Sequence, residues 1–188
     1  VTEDAMITAA SGFARGFDSY RENRSVLDAA GDVDATFGDG GRWLEHHADE
    51  RFFLFLHTYE AHSPYKPKGN ALADLAEVPP ADRQGARGRY AENRREYAAE
   101  IHYTDQVFGK LVEDLERLDL LDHTVIVVTA DHGEEFGEHG KLGHSKTLYD
   151  EVLRVPLLVW APGIVAPGRH VAEQVSLVDL APTLLDLV

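Results

Sequence analysis

The chain has 188 residues, 44% hydrophobic and 27% charged, with 18 Lys and Arg against 33 Asp and Glu for a formal net charge of −15. That length suffices for one domain with a sizeable core, and the composition excludes a disordered or fibrous protein. No apolar run approaches the ~18–20 residues that span a bilayer, and the acidity argues against a nucleic-acid groove or an anionic membrane surface as partner. There is no cysteine, so disulfides, thiolate metal sites and a cysteine nucleophile are excluded within these residues.

Val1-Thr2-Glu3-Asp4 carries no initiator Met, basic stretch or apolar signal core. It reads as the interior of a longer protein and leaves the compartment open. Residues 1–34 are polar and punctuated by Gly and Asp, which predicts a surface loop with one helical turn. Trp43 and Leu44 sit in a helical context over 35–47. Phe52-Phe53-Leu54-Phe55-Leu56 is an unbroken apolar run, which predicts a strand buried on both faces, as in a parallel sheet. Pro64 and Pro67 then enforce an irregular loop. Residues 68–95 are polar and rich in Arg, Gly and Ala. From 90 to 118, Ile101, Val107, Phe108, Leu111, Leu115 and Leu118 recur at helical spacing.

The β-branched run Thr124–Ala130 predicts the clearest strand. A loop rich in Gly, His and Glu follows over 131–145, then a short helix near 146–153 and a strand over 155–160. Pro162-Gly163 predicts a turn, residues 170–175 a last strand, and 177–187 a terminal helix. This alternation predicts an α/β fold, a largely parallel central sheet with helices on both faces.

In open α/β sheets, ligands sit beyond the carboxyl ends of the strands. His62 follows the first predicted strand there, and Asp131-His132-Gly133-Glu134 follows the second, with Glu138, His139, Lys141 and His144 beyond. A carboxylate beside an imidazole suits a divalent cation, and further imidazoles can donate to an oxyanion or move protons. Asp131 could equally serve as a helix cap, and His62 could be purely structural. Charge at the tip of a buried strand nevertheless calls for a counter-ion, which favours a site at Asp131. His46, His47, His102, His123 and His170 read as solvated. Familiar templates fail: His132 and His139 stand too far apart for H-E-x-x-H, residues 143–147 lack P-loop spacing, and no G-x-S-x-G is present.

Phe52–Tyr65, with its strand followed by His62-Ser63-Pro64-Tyr65, resembles a sulfatase segment. So does Thr129-Ala130-Asp131-His132-Gly133-Glu134, continued by Gly137-Glu138-His139-Gly140, Gly143-His144, Leu148-Tyr149-Asp150-Glu151 and Leu153–Val159. Gly16-Phe17-Asp18 is similar to a shorter family element. The resemblance, to the sulfatase branch of the alkaline-phosphatase-like superfamily, runs from about residue 12 to the end. It implies a divalent-metal ester hydrolase acting on a small sulfated or phosphorylated substrate. Asp131 and His132 match metal ligands, and His62 matches the residue that contacts the sulfate or phosphoryl group. His144 falls where relatives carry a Lys or His that binds that group or assists proton transfer, while Tyr149 and Arg154 match structural positions. The implied metal is Ca²⁺ or Mn²⁺, with the imidazole tilting the site toward Mn²⁺.

The family's nucleophile is a formylglycine made in a Cys/Ser-x-Pro-x-Arg context. Ser11-Gly12-Phe13-Ala14-Arg15 comes nearest to that context and lacks the Pro. The resemblance therefore implies that 1–188 is a partial catalytic domain, inactive alone, with the N-terminal strands and nucleophile upstream. A phosphonate or phosphodiester hydrolase, a phosphoglycerol transferase, or a non-catalytic metal-stabilised binding domain of the same fold are the alternatives.

Overall fold

The computed structural model describes residues 1–3, 7–23, 32–75 and 90–187. Its helices are α1 (Val33–His47), α2 (Ala71–Asp74), α3 (Ala91–Arg117), α4 (Asp150–Leu153) and α5 (Leu180–Leu187). Its strands are β1 (Ile126–Thr129), β2 (Glu135–Phe136), β3 (Leu142–Gly143) and β4 (Leu157–Trp160). Among the described residues no helix is long and apolar enough to cross a membrane. Residues 4–6 and 24–31 of the expected N-terminal loop and 76–89 of the polar stretch lie outside the described residues.

Asp32 caps α1, its side chain accepting from the Ala35 amide at 3.1 Å. Asp34 in the first turn and His46 and His47 in the last suit the helix dipole. Helix α3 buries Ala99, Val107, Leu111 and Leu115 along one stripe. It ends where Asp119 takes φ +58° and the Leu120 amide reaches back to the Leu115 carbonyl at 2.8 Å, a left-handed cap without glycine. Leu44 of α1 and Leu111 and Leu115 of α3 form the buried centre of the core. Phe37, Phe52, Leu54, Leu56, Phe108 and Ile126 pack around it.

The run 52–56 packs on this core without forming a named strand, and it is half-buried on one face only. Phe52, Leu54 and Leu56 turn inward, whereas Phe53 and Phe55 are 65% and 39% exposed. An unbroken apolar run does not reveal that alternation, because both faces carry apolar side chains. Parallel hydrogen bonding occurs beside it, at single rungs. The Val1 ammonium donates to the Phe55 carbonyl at 2.7 Å, and the His57 amide donates to the Val1 carbonyl at 3.1 Å. Thr2 bridges Glu22 in the same sense.

The two named strand pairs differ from the expected parallel direction. β1 pairs antiparallel with β4, Ile126 opposite Trp160 and Thr129 opposite Leu157, and β2 pairs antiparallel with β3. No strand forms over 170–175. Val171 and Val175 would share one face of such a strand, yet both are more than half exposed, so no packing holds the segment there. The helix expected over 146–153 is confined to α4, because Tyr149 is extended and Thr147 is drawn aside to Glu135. The terminal helix forms as α5, after a short 3₁₀ turn at Leu177–Asp179.

Candidate functional site

Two loops build the site. The first, 57–68, leaves the core segment 52–56 and is tied down by buried carboxylates. Glu3 accepts from the Tyr59 amide at 2.6 Å. Glu60 accepts from the Val33 amide at 3.2 Å and from Lys68 at 2.7 Å, and Glu100 of α3 accepts from the Lys66 amide. Burial pushes the Glu100 carboxyl up to about 7, against the opposing pull of the Lys66 amide. Burial also raises Glu60, despite its bonds to Lys68 and Val33.

Between the ordinary carboxylate range and about pH 7 the folded protein holds a proton on Glu100 that the unfolded chain has released, so stability falls as pH rises through that window. Glu100→Gln is expected to flatten this part of the curve. Urea midpoints at several pH values between 4.5 and 8 check it, and parallel curves for the two proteins would contradict it.

The second loop, 131–154, leaves the end of β1 and folds back through the β2–β3 hairpin. The Gly133 amide donates to the Val152 carbonyl at 2.7 Å, and a Cβ at Gly133 would stand 2.1 Å from the Glu151 carbonyl oxygen. Only glycine lets the loop pass α4 this closely. The fully buried Glu135 ties the hairpin together, accepting from the amides of His139 (3.1 Å) and Lys141 (2.8 Å) and the hydroxyl of Thr147 (2.8 Å). Burial raises this carboxyl, but those donors together hold it below its ordinary value. His139 Nδ1 lies 2.6 Å from Glu151, and its ring stacks on Tyr149 at 3.5 Å between centroids.

His62, His132 and His144, nominated from the sequence, meet where these loops face each other. The His132 and His144 rings stack at 3.9 Å between centroids, and His62 lies edge-on to His144 at 5.3 Å. Asp131 stands at the mouth, its side chain 77% exposed, with Oδ1 accepting from the His132 amide at 3.0 Å.

The Nδ1 atoms of the three imidazoles have oxygen partners: the Ser63 carbonyl at 2.7 Å for His62, the Gly133 carbonyl at 2.9 Å for His132, and Glu134 at 3.0 Å for His144. A carbonyl or carboxylate only accepts, so these contacts place the proton on Nδ1 and leave Nε2 for a ligand. His132 Nε2 lies 3.7 Å from Asp131 Oδ2. Two ligand atoms each about 2.0–2.3 Å from one cation can stand that far apart, so the pair fits a divalent ion.

Three features of the site rest on pairings that the sequence did not reveal. Glu134 binds both His144 and the Tyr65 hydroxyl, the latter at 2.7 Å. The buried Nδ1 of His57 has no hydrogen-bond partner among the described residues. Burial lowers the pKa of this ring, partly offset by the charge of Asp131. Glu135, His139 and Glu151 bring ligand atoms within 4.8 Å of one another, a second arrangement that could hold a cation. The acidic residues of the Asp131–Glu138 stretch are visible in the sequence, but their pairing depends on residues far along the chain.

Residues 8–188 match the family model for Sulfatase. The choline-sulfatase of Rhizobium meliloti is 42% identical over 95 residues, which cover 50% of this chain and 18% of that protein. Human arylsulfatase K is 33% identical over 153 residues, covering 76% of this chain and 28% of its own. The chain thus spans less than a third of the length of these relatives. The crystal structure of yidJ from Bacteroides fragilis superposes with a TM-score of 0.74 at 24% identity, covering 82% of this chain and 36% of that one. That of Ps i-CgsB in complex with k-i-k-neocarrahexaose gives 0.64 at 24% identity, covering 92% and 36%. The structural likeness shows a shared alkaline-phosphatase-like α/β fold, and with the family match running through both site loops to the last residue, this chain belongs to the sulfatase family.

Proposed function

We propose that this chain supplies half of the active site of a metal-dependent sulfate ester hydrolase. The convergence of His62, His132 and His144 at the loop ends, each with Nδ1 engaged and Nε2 available, carries the reading. Asp131 and His132 are assigned as ligands of a divalent cation, Ca²⁺ or Mn²⁺, which when bound supplies Lewis acidity and a template for the substrate oxygen. His62 and His144 are assigned to the transferring group: with Nδ1–H held, the neutral ring can take a proton at Nε2, and the ring so protonated can steady developing negative charge or return the proton to the leaving alkoxide. The names of the relatives, choline-sulfatase and arylsulfatase K, favour a sulfate ester. The formylglycine nucleophile and the remaining ligands are assigned to a part of the protein outside residues 1–188, so this chain alone is inactive.

The test is turnover of 4-nitrophenyl sulfate beside bis(4-nitrophenyl) phosphate by the full-length protein with added Ca²⁺ or Mn²⁺. A higher kcat/KM on the sulfate is expected. Preference for the phosphodiester moves the protein to phosphodiester chemistry, and inertness toward both leaves a binding domain. In the active protein, Asp131→Asn keeps an amide oxygen that can still coordinate but removes the charge. Metal affinity and turnover are expected to fall together, and excess metal to restore part of the rate. Lost turnover with unaltered metal binding would remove Asp131 from the ligand set.

A further inference from the structure

We propose that Glu134 is a positioning residue for His144: its carboxylate holds Nδ1–H and so presents Nε2 to the transferring group. The inference rests on the role assigned to His144 above. His62 and His132 direct Nδ1 to the carbonyl of the next residue in the chain, a local contact that any similar turn provides. His144 instead uses a carboxylate ten residues back.

That carboxylate is itself fixed. The Glu134 side chain is 5% exposed, and Oε1 meets His144 Nδ1 at 3.0 Å while Oε2 accepts from the Tyr65 hydroxyl at 2.7 Å. Tyr65 is buried, with its ring against Tyr97 and Phe136. Burial and the neighbouring Glu134 push its phenol far up, so it remains the donor and Glu134 the acceptor. Glu134 therefore joins the loop carrying His62 to the loop carrying Asp131 and sets the ring between them. A neutral imidazole in water favours the Nε2–H form, and a buried carboxylate acceptor reverses that choice.

The test uses the full-length protein labelled with ¹⁵N-histidine, with His144 assigned by comparison with His144→Gln. Long-range proton–nitrogen correlations at a pH where the ring is neutral are expected to show Nδ1–H in the wild type. Glu134→Met combined with Tyr65→Phe removes the acceptor without stranding the hydroxyl, and Nε2–H is expected there. Tyr65→Phe alone keeps the acceptor and the wild-type pattern.

On the ester turned over, the double variant should lose about 10- to 100-fold in kcat with KM within roughly threefold. In a His144→Ala background the same two changes should cost nothing further, because Glu134 acts through that ring. Nε2–H in the wild type, an unchanged pattern in the folded double variant, or an equal kcat loss without His144 would overturn the proposal. Should the double variant fail to fold, the wild-type pattern decides. If the protein turns over neither ester, the catalytic reading fails while the nitrogen pattern still decides what Glu134 does.

Discussion

Gly133→Ala is expected to cost about 3 kcal/mol or more in stability and to abolish turnover of the full-length protein. The added methyl would stand 2.1 Å from the Glu151 carbonyl oxygen and 3.1 Å from its carbon, backbone atoms that cannot swing aside as a side-chain tip can. The Gly133 amide is also bonded to the Val152 carbonyl at 2.7 Å, so relief by separating the segments breaks that bond. Gly133 lies directly between His132 and Glu134, and any shift displaces both from His144. Urea unfolding and initial rates measure the two effects. A variant with the wild-type midpoint and rate would contradict the close approach of the loop to α4.

His62→Ala and His144→Ala are each expected to lower kcat by about 10²–10³ without rescue by excess metal. Both rings sit within the imidazole cluster, yet neither belongs to the proposed ligand pair, which rests on Asp131 and His132. Removing one should leave metal affinity intact while deleting a group that matters most as charge develops. Rates at saturating substrate, with metal titrated alongside, separate the two effects. Near-normal kcat with weakened metal binding in His144→Ala would make His144 a ligand.

Much of this arrangement was legible in the sequence. The periodicity of α3, the β-branched run of β1 and the Asp131-His132-Gly133 sequence at its end depend on neighbours along the chain, and such signals survive without a structure. The exposure of Phe53 and Phe55 was not legible, because what covers a face is decided by distant segments and a strand with apolar residues on both sides reads the same either way. The antiparallel pairing of β1 with β4 was hidden for the same reason, since strand direction is set by the path of the chain between them. Glu134 was visible as an acid after Asp131-His132-Gly133, but its role lies in a contact with Tyr65, sixty-nine residues earlier. Likewise His139 was visible in the loop, but its pairing with Glu151 and its closeness to Glu135 appear only once the hairpin folds.

The two carboxylate–imidazole arrangements make the account sharply testable. Asp131 and His132 have exposed or half-exposed side chains, with Nε2 left available by the Gly133 contact. Glu135 spends both oxygens on the hairpin's own donors, and His139 Nδ1 is engaged by a Glu151 oxygen. A cation there would have to displace bonds already made, whereas at Asp131 and His132 it displaces water. Anomalous diffraction from crystals of the full-length protein grown with Mn²⁺ decides between them. The account predicts a peak about 2.0–2.6 Å from an Asp131 carboxylate oxygen and His132 Nε2. A peak held by Glu135, His139 and Glu151, with none at Asp131, would contradict it.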